Sequence, residues 1–167
     1  ENGFGVVKNN GKAIEYYNKS SQFGNSDALC CLGACYEKGI GVKQDFKTAF
    51  DYYQKSANLN NSDALVKLAH CYEKGLGVKQ DPKKVVECYN ESAEMGNSEA
   101  MVNLGAWYEN QKDSPDNFKK AFEYYQKSKE LGNSDAFLRV GICYKEGGRG
   151  VIQDLGKALE IFKKLYG

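Results

Sequence analysis

The sequence predicts an all-α protein, a right-handed α/α superhelix (solenoid) of 36-residue helix-turn-helix repeats. The first sign is recurrence: CYEKGIGVKQD at 35–45 returns as CYEKGLGVKQD at 71–81, and Asn25, Asn61, Asn97 and Asn133 stand 36 residues apart. A fixed period of this length marks stacked supersecondary units. Alignment at that period gives columns, namely Ala28, Ala64, Ala100 and Ala136; Leu32, Leu68 and Leu104; Tyr36, Tyr72, Tyr108 and Tyr144. Within a repeat the spacing is helical, with Ala28, Leu32 and Tyr36 at i, i+4, i+8 and Phe46, Ala49, Phe50 and Tyr53 at i, i+3, i+4, i+7.

In chain order, a leading helix is expected near residues 10 to 22, because ENGFGVVKNNGKAIEYYNKS aligns with EKGIGVKQDFKTAFDYYQKS from Glu37 onwards. The chain thus opens inside a partial repeat (1–24). Full repeats follow at 25–60, 61–96 and 97–132, then a nearly complete one at 133–167 with an extra residue near Gly148. All are read as one solenoid domain, 1–167, and as a piece of a longer array, since LYG stops before the Gly-Asn step that closes earlier copies and neither end has a capping repeat's polar outer face.

Each hairpin carries its own punctuation. Asn25-Ser26 and its equivalents offer a side-chain oxygen to the first free amides, with Asp27 beside the positive end of the helix dipole. Asp45 and Asp81 do the same for the second helices, and Pro82 occupies a first helical position, where a missing N–H costs nothing. Between the helices, Gly39, Gly41, Gly75 and Gly77 supply the positive-φ conformations of a helix end and a tight connection. A phosphate-binding loop would require a third glycine and a preceding strand, and neither is present.

Composition narrows the function. With 23 Lys and Arg against 22 Asp and Glu, the net charge of +1 lacks the basic excess that nucleic-acid or anionic-membrane binding calls for. No apolar run reaches membrane-spanning length, and no signal segment opens the sequence. A cytoplasmic location is expected, with the endoplasmic-reticulum lumen as the alternative if a signal lies upstream; the sequons at Asn18, Asn60 and Asn90 would matter only there.

The chemistry-bearing residues assemble no catalytic set. Eleven of twelve tyrosines fall in repeat columns, which favours core packing over a stacking platform. Of six cysteines, Cys35, Cys71 and Cys143 share one column, broken by Trp107; equivalent positions on stacked helices lie too far apart for disulfides. Free, buried thiols are expected, and a zinc site from Cys31, Cys35 and His70 has the wrong ligand spacing. His70 is the only histidine. Ser20, Ser56, Ser92 and Ser128 form a column without acid–base partners, so they read as small-residue packing. No cofactor and no enzyme activity are expected.

The pattern A-x-x-x-L-G-x-x-Y-x-x-G-x-G-V-x-x-D-x-x-K-A-x-x-Y-Y-x-K-[SA] resembles the Sel-1-like repeat, a relative of the tetratricopeptide repeat. ALCCLGACYEKGIGVKQDFKTAFDYYQKS matches nearly every position; the match weakens where YENQKDSPDN replaces the glycine loop and where YKEGGRGVIQD lengthens it. The resemblance implies a curved superhelix acting as an adaptor for partner proteins, in signalling or in quality-control complexes. It also shows a departure: a cysteine-rich branch of that family bridges each repeat with a disulfide, whereas Ala57 with Leu65 and Ala93 with Met101 stand at those places here. That branch's ligands are therefore not carried over.

A partner surface is sought where columns vary. Opposite the packing face of the first helices lie columns 27, 31, 34 and 38; Cys31, Lys67, Asn103 and Arg139 occupy one, and Lys38, Lys74, Asn110 and Glu146 another. Family geometry implies that first helices line the concave groove. Lys67, Asn103 and Arg139, with Lys38, Lys74, His70 and Trp107 beside them, would form a polar ladder for a protein or extended peptide, an acidic or carboxylate-bearing one in particular. Asp27, Asp63 and Asp135 near the helix starts would make it bipolar. An ordinary solvated face is the plain alternative, and a small-ligand or enzymatic module in the same groove is the competing function.

Overall fold

The computed structural model describes residues 10–111, 115–147 and 151–166, and among them it shows nine helices and no strand. The insertion near Gly148 and part of the YENQKDSPDN segment lie outside the described residues. Two compact units divide between Val85 and Val86.

The first unit holds α1 (Asn10–Gln22), α2 (Ser26–Lys38), α3 (Phe46–Ala57), α4 (Ser62–Lys74) and the first turn of α5 (Pro82–Glu94), with α1 on α2, α2 on α3 and α3 on α4. The second holds the rest of α5, then α6 (Ser98–Asn110), α7 (Pro115–Glu130), α8 (Ser134–Glu146) and α9 (Leu155–Tyr166), with α6 through α9 again packed in sequence.

The recurring columns are the core. Ala28, Ala64, Ala100 and Ala136 are buried, as are Leu32, Leu68, Leu104 and Val140 in the next column. Tyr53, Tyr89 and Tyr125 are buried too. The other tyrosine columns depart from a uniform core reading: Tyr52 and Tyr124 are half-buried and stack on Tyr36 and Tyr108 with centroids 5.5 and 5.8 Å apart, while Tyr16 is exposed. Lys55 and Lys127 lie over the Tyr52 and Tyr124 rings at 5.4 and 5.8 Å.

Caps follow the sequence. The Asn25, Asn61, Asn97 and Asn133 side chains accept from the amides of Ala28, Ala64, Ala100 and Ala136 at 2.9 to 3.1 Å. Asp45 accepts from the Lys47 and Thr48 amides and from the Thr48 hydroxyl; these bonds, the Thr48 hydroxyl first, hold its carboxyl below the usual aspartate range.

The repeated loop is scaffolding in atomic terms. Gly39 and Gly75 end their helices in the left-handed conformation. The side-chain amides of Gln44, Gln80 and Gln153 donate to the carbonyls of Glu37, Glu73 and Lys145 at 2.8 to 3.0 Å, tying each loop to the last turn of the helix before it.

Candidate functional site

A buried tyrosine anchors the hairpin in each unit. In α2 and α6, Gly33 and Gly105 leave room for the rings of Tyr53 and Tyr125, which pack closely at these positions; a Cβ on Gly33 would stand 2.5 Å from the Tyr53 ring. Each hydroxyl then reaches a carboxylate on the same hairpin, Tyr53 to Glu37 at 2.5 Å and Tyr125 to Glu109 at 2.7 Å. Burial, and next the hydrogen bond to an anion, push both phenols well above the ordinary tyrosine range. The last hairpin shows the logic by exchange: Phe162 takes the tyrosine's place over Gly141, and Lys145 replaces the glutamate.

This network captures one of the expected ladder residues. Arg139 of α8 donates to Glu109 at 3.3 Å and lies over the Tyr125 ring at 5.6 Å. Its guanidinium is thus engaged within the second unit, although the pair is solvent-accessible and worth little by itself.

The remaining candidates divide by helix. Lys67, His70 and Lys74 stand at i, i+3 and i+7 along α4, the first two half-buried and Lys74 exposed. Lys38 is exposed in the last turn of α2; it and Lys74 sit where a cation complements the negative end of a helix. Asn103 and Trp107 are half-buried on α6, and Trp107 meets Tyr108 edge-on at 5.1 Å. Asp27, expected at the acidic end of the stripe, accepts from Asn61 at 2.7 Å and so joins α2 to the start of α4.

Two recurring groups were not singled out as partners in the sequence. The carboxylates of Glu37 and Glu109 were only part of the loop motif, and the serine column was read as small-residue packing alone. Ser56 and Ser128 in fact donate to the carbonyls of Ser26 and Ser98 at 2.7 Å, fastening the end of the second helix to the start of the first. Their equal period of recurrence was the available signal.

All six cysteines are free. Burial first, then Glu109 and Glu146, lifts the Cys143 thiol to about 12; burial first, then Cys31 and Asp63, lifts Cys30 to about 11, with Lys67 opposing. The raised folded values favour the protonated, folded form. This stability is therefore full below the ordinary thiol value of about 9 and lost as pH rises towards about 12. Melting temperature is expected to fall across that window. Replacing Cys30 and Cys143 by alanine in one chain should flatten the fall, and an unaltered slope would count against the thiols as its source.

With the geometry in place, the sequence can be set beside known proteins. It matches the family described as Sel1 repeat over residues 1–25, 26–61, 62–97, 98–133 and 134–166. The chain belongs to the Sel1 repeat family. This Sel1 repeat chain is similar to a protective antigen of uropathogenic Escherichia coli displaying an SLR fold, at 33% identity and a TM-score of 0.81, covering 96% of this chain and 34% of that one. A Sel1 repeat protein from Oxalobacter formigenes gives 30% identity and a TM-score of 0.87, covering 96% of this chain and 65% of that one. Cysteine rich protein B of Helicobacter pylori gives 29% and 0.53, over 56% of this chain and 70% of that one. The Sel1 repeat chain thus spans about a third and just under two thirds of the first two relatives' lengths. Among curated proteins none matches. The all-α solenoid expectation holds, and no described helix is long and apolar enough to cross a membrane.

Proposed function

We propose that this Sel1 repeat chain is a protein-interaction scaffold that holds a partner protein or an extended peptide on the outward side of its first helices, with Lys67, His70 and Lys74 of α4 as contact residues in the first unit and Asn103 and Trp107 of α6 as a separate set in the second. The observation that carries this reading is the contrast between two sides of the same helices. The inward columns repeat the same buried residues, whereas the outward column changes from Cys31 to Lys67, Asn103 and Arg139, the first three half-buried and the last exposed. Packing requires the first pattern; it makes no demand for the second. Side chains such as Trp107, half-buried beside another aromatic, are the kind that anchor interfaces.

The lysines of α4 favour a carboxylate-bearing segment. Arg139 is left out of this contact set because Glu109 already holds it. The test is affinity capture with the chain and with the double substitution Lys67→Glu and Lys74→Glu, after both show the same melting temperature. Capture of the specific partner should weaken by roughly tenfold or more, and undiminished capture by the folded variant would remove α4 from the surface. A panel of small metabolites should leave melting unchanged; a saturable shift with one of them would favour a ligand-binding module instead.

A further inference from the structure

The α6–α7 hairpin carries a cavity of about 310 Å³ lined by Tyr108 of α6 and by Lys120, Glu123, Tyr124 and Lys127 of α7. The α7 residues stand at i, i+3, i+4 and i+7, so a single stripe of that helix supplies all four. The aromatic wall is held in place: Tyr108 and Tyr124 stack with their planes 7° apart, Trp107 meets Tyr108 edge-on, and the Tyr124 hydroxyl donates to the Asn90 side chain at 3.4 Å. Both ammonium groups lean on that wall, Lys120 at 5.5 Å from the Tyr108 centroid and Lys127 at 5.8 Å from that of Tyr124.

Glu123 lies three residues from one lysine and four from the other. At such spacing Lys19 with Glu15, Lys47 with Asp51 and Lys157 with Asp154 close ion pairs of 2.7 to 3.4 Å, yet among the described residues Glu123 pairs with neither Lys120 nor Lys127. Two cations and one carboxylate, all exposed, thus surround one aromatic wall. The corresponding place on α3 lacks this set. Thr48 stands for Lys120 and donates its hydroxyl to Asp45, Asp51 stands for Glu123 and is held by Lys47, and Lys55 alone lies over Tyr52. Both hairpins stack the same tyrosine pair, so packing makes no demand for the second lysine.

We infer that this cavity binds a phosphorylated side chain of a peptide, the phosphate between Lys120 and Lys127 and a neighbouring basic residue of the peptide on Glu123. Charge complementarity defines the occupant. Lysines offer compact point charges suited to a phosphate, whereas planar carboxylate recognition favours the arginine fork. Glu123 repels a bare anion and favours a ligand that brings its own cation. That carboxylate is only about 4.5–6 Å of helix rise from either lysine, and an extended chain advances about 3.3–3.6 Å per residue, so the basic residue belongs within two positions of the phosphate. The cavity is at the small end of ligand sites, room for one side chain. No residue of the α4 contact set takes part, so this inference stands apart from the surface proposed above.

The test titrates the whole chain with nine-residue peptides carrying one phosphoserine or one phosphotyrosine, with or without an arginine two residues away, and with inorganic phosphate. Calorimetry and the fluorescence of Trp107, which touches the cavity wall through Tyr108, give the readouts. At least one arginine-bearing phosphopeptide should bind saturably at one site, and its unphosphorylated form and inorganic phosphate roughly tenfold or more weaker. Lys120→Gln with Lys127→Gln should abolish binding at an unchanged melting temperature, while Lys55→Gln, at the equivalent place on α3, should alter nothing. Glu123→Gln should weaken the arginine-bearing phosphopeptide yet strengthen the one without arginine, a crossover that diffuse attraction does not produce. Four results would overturn the inference: no saturable binding of any phosphopeptide; an equal loss from Lys55→Gln; inorganic phosphate binding as tightly as the peptides, which would make this a free-anion site; or Glu123→Gln strengthening both phosphopeptides alike.

Discussion

Tyr125→Ala is expected to destabilise the second unit by about 3–5 kcal/mol, the range for deleting a fully buried aromatic ring. The ring has no solvent exposure, and on its Gly105 side it meets helix backbone rather than a side chain that could move into the space it would leave. Helix backbone cannot collapse into the hole as a flexible side chain could. The substitution also takes the phenolic donor from Glu109 and the aromatic face from Arg139. Tyr125→Phe isolates these effects: it keeps the ring, removes one hydrogen bond to a charged acceptor and should cost about 1.5–3 kcal/mol. The single tryptophan, Trp107 on α6, supplies a fluorescence probe in the same unit during urea unfolding. Equal losses for alanine and phenylalanine would mean that the hydroxyl, and not ring packing, holds α7 on α6.

What the sequence made legible follows from what a repeat constrains. Helices at one period must bury one face, so Ala28, Leu32 and Tyr53 and their equivalents announced the core, and α1 begins and ends where alignment to the later copies placed it. Caps were legible because Asn25 and Asp45 act within three residues of themselves. The bonds from Tyr53 to Glu37 and from Ser56 to Ser26 were not, since they join residues 16 and 30 positions apart that meet only once the hairpin is closed. The fate of Arg139 was hidden for the same reason. Its column identified an outward position, but its engagement with Glu109 depends on how α8 lies beside α6, which periodicity alone leaves undefined.

Gly77→Ala is expected to cost about 3 kcal/mol or more, well beyond Gly75→Ala two residues earlier in the same loop. Both glycines have positive φ, 72° for Gly75 and 71° for Gly77, so each alanine pays about 1–2 kcal/mol for the left-handed conformation. Their surroundings differ. A Cβ on Gly75 would meet first the Gln80 Cγ at 3.1 Å, which needs to give by only a few tenths of an ångström, a shift that the bond from Gln80 to the Glu73 carbonyl can follow. A Cβ on Gly77 would run into the carbonyl of Phe46 and stand 2.8 Å from the Lys47 Cα, at the capped start of α3. Relief there requires displacing backbone and loosening the stack, a strain of about 1–3 kcal/mol on top of the conformational cost. The same approach recurs one repeat earlier, where Gly41 faces Ile14 and Asn10 of α1, so the second loop glycine is a point of contact between repeats. The turn glycines give the control. Gly96 has φ of 86° with nothing near its missing Cβ, and Asn60 fills the equivalent turn at φ 57°. Gly96→Asn should therefore be close to neutral, and urea melts should rank the variants as Gly96→Asn, Gly75→Ala and Gly77→Ala in order of increasing loss. Equal losses for the two alanine variants would show that the close approach to Phe46 carries no energetic weight, leaving conformation alone to explain the recurrence of glycine at this position.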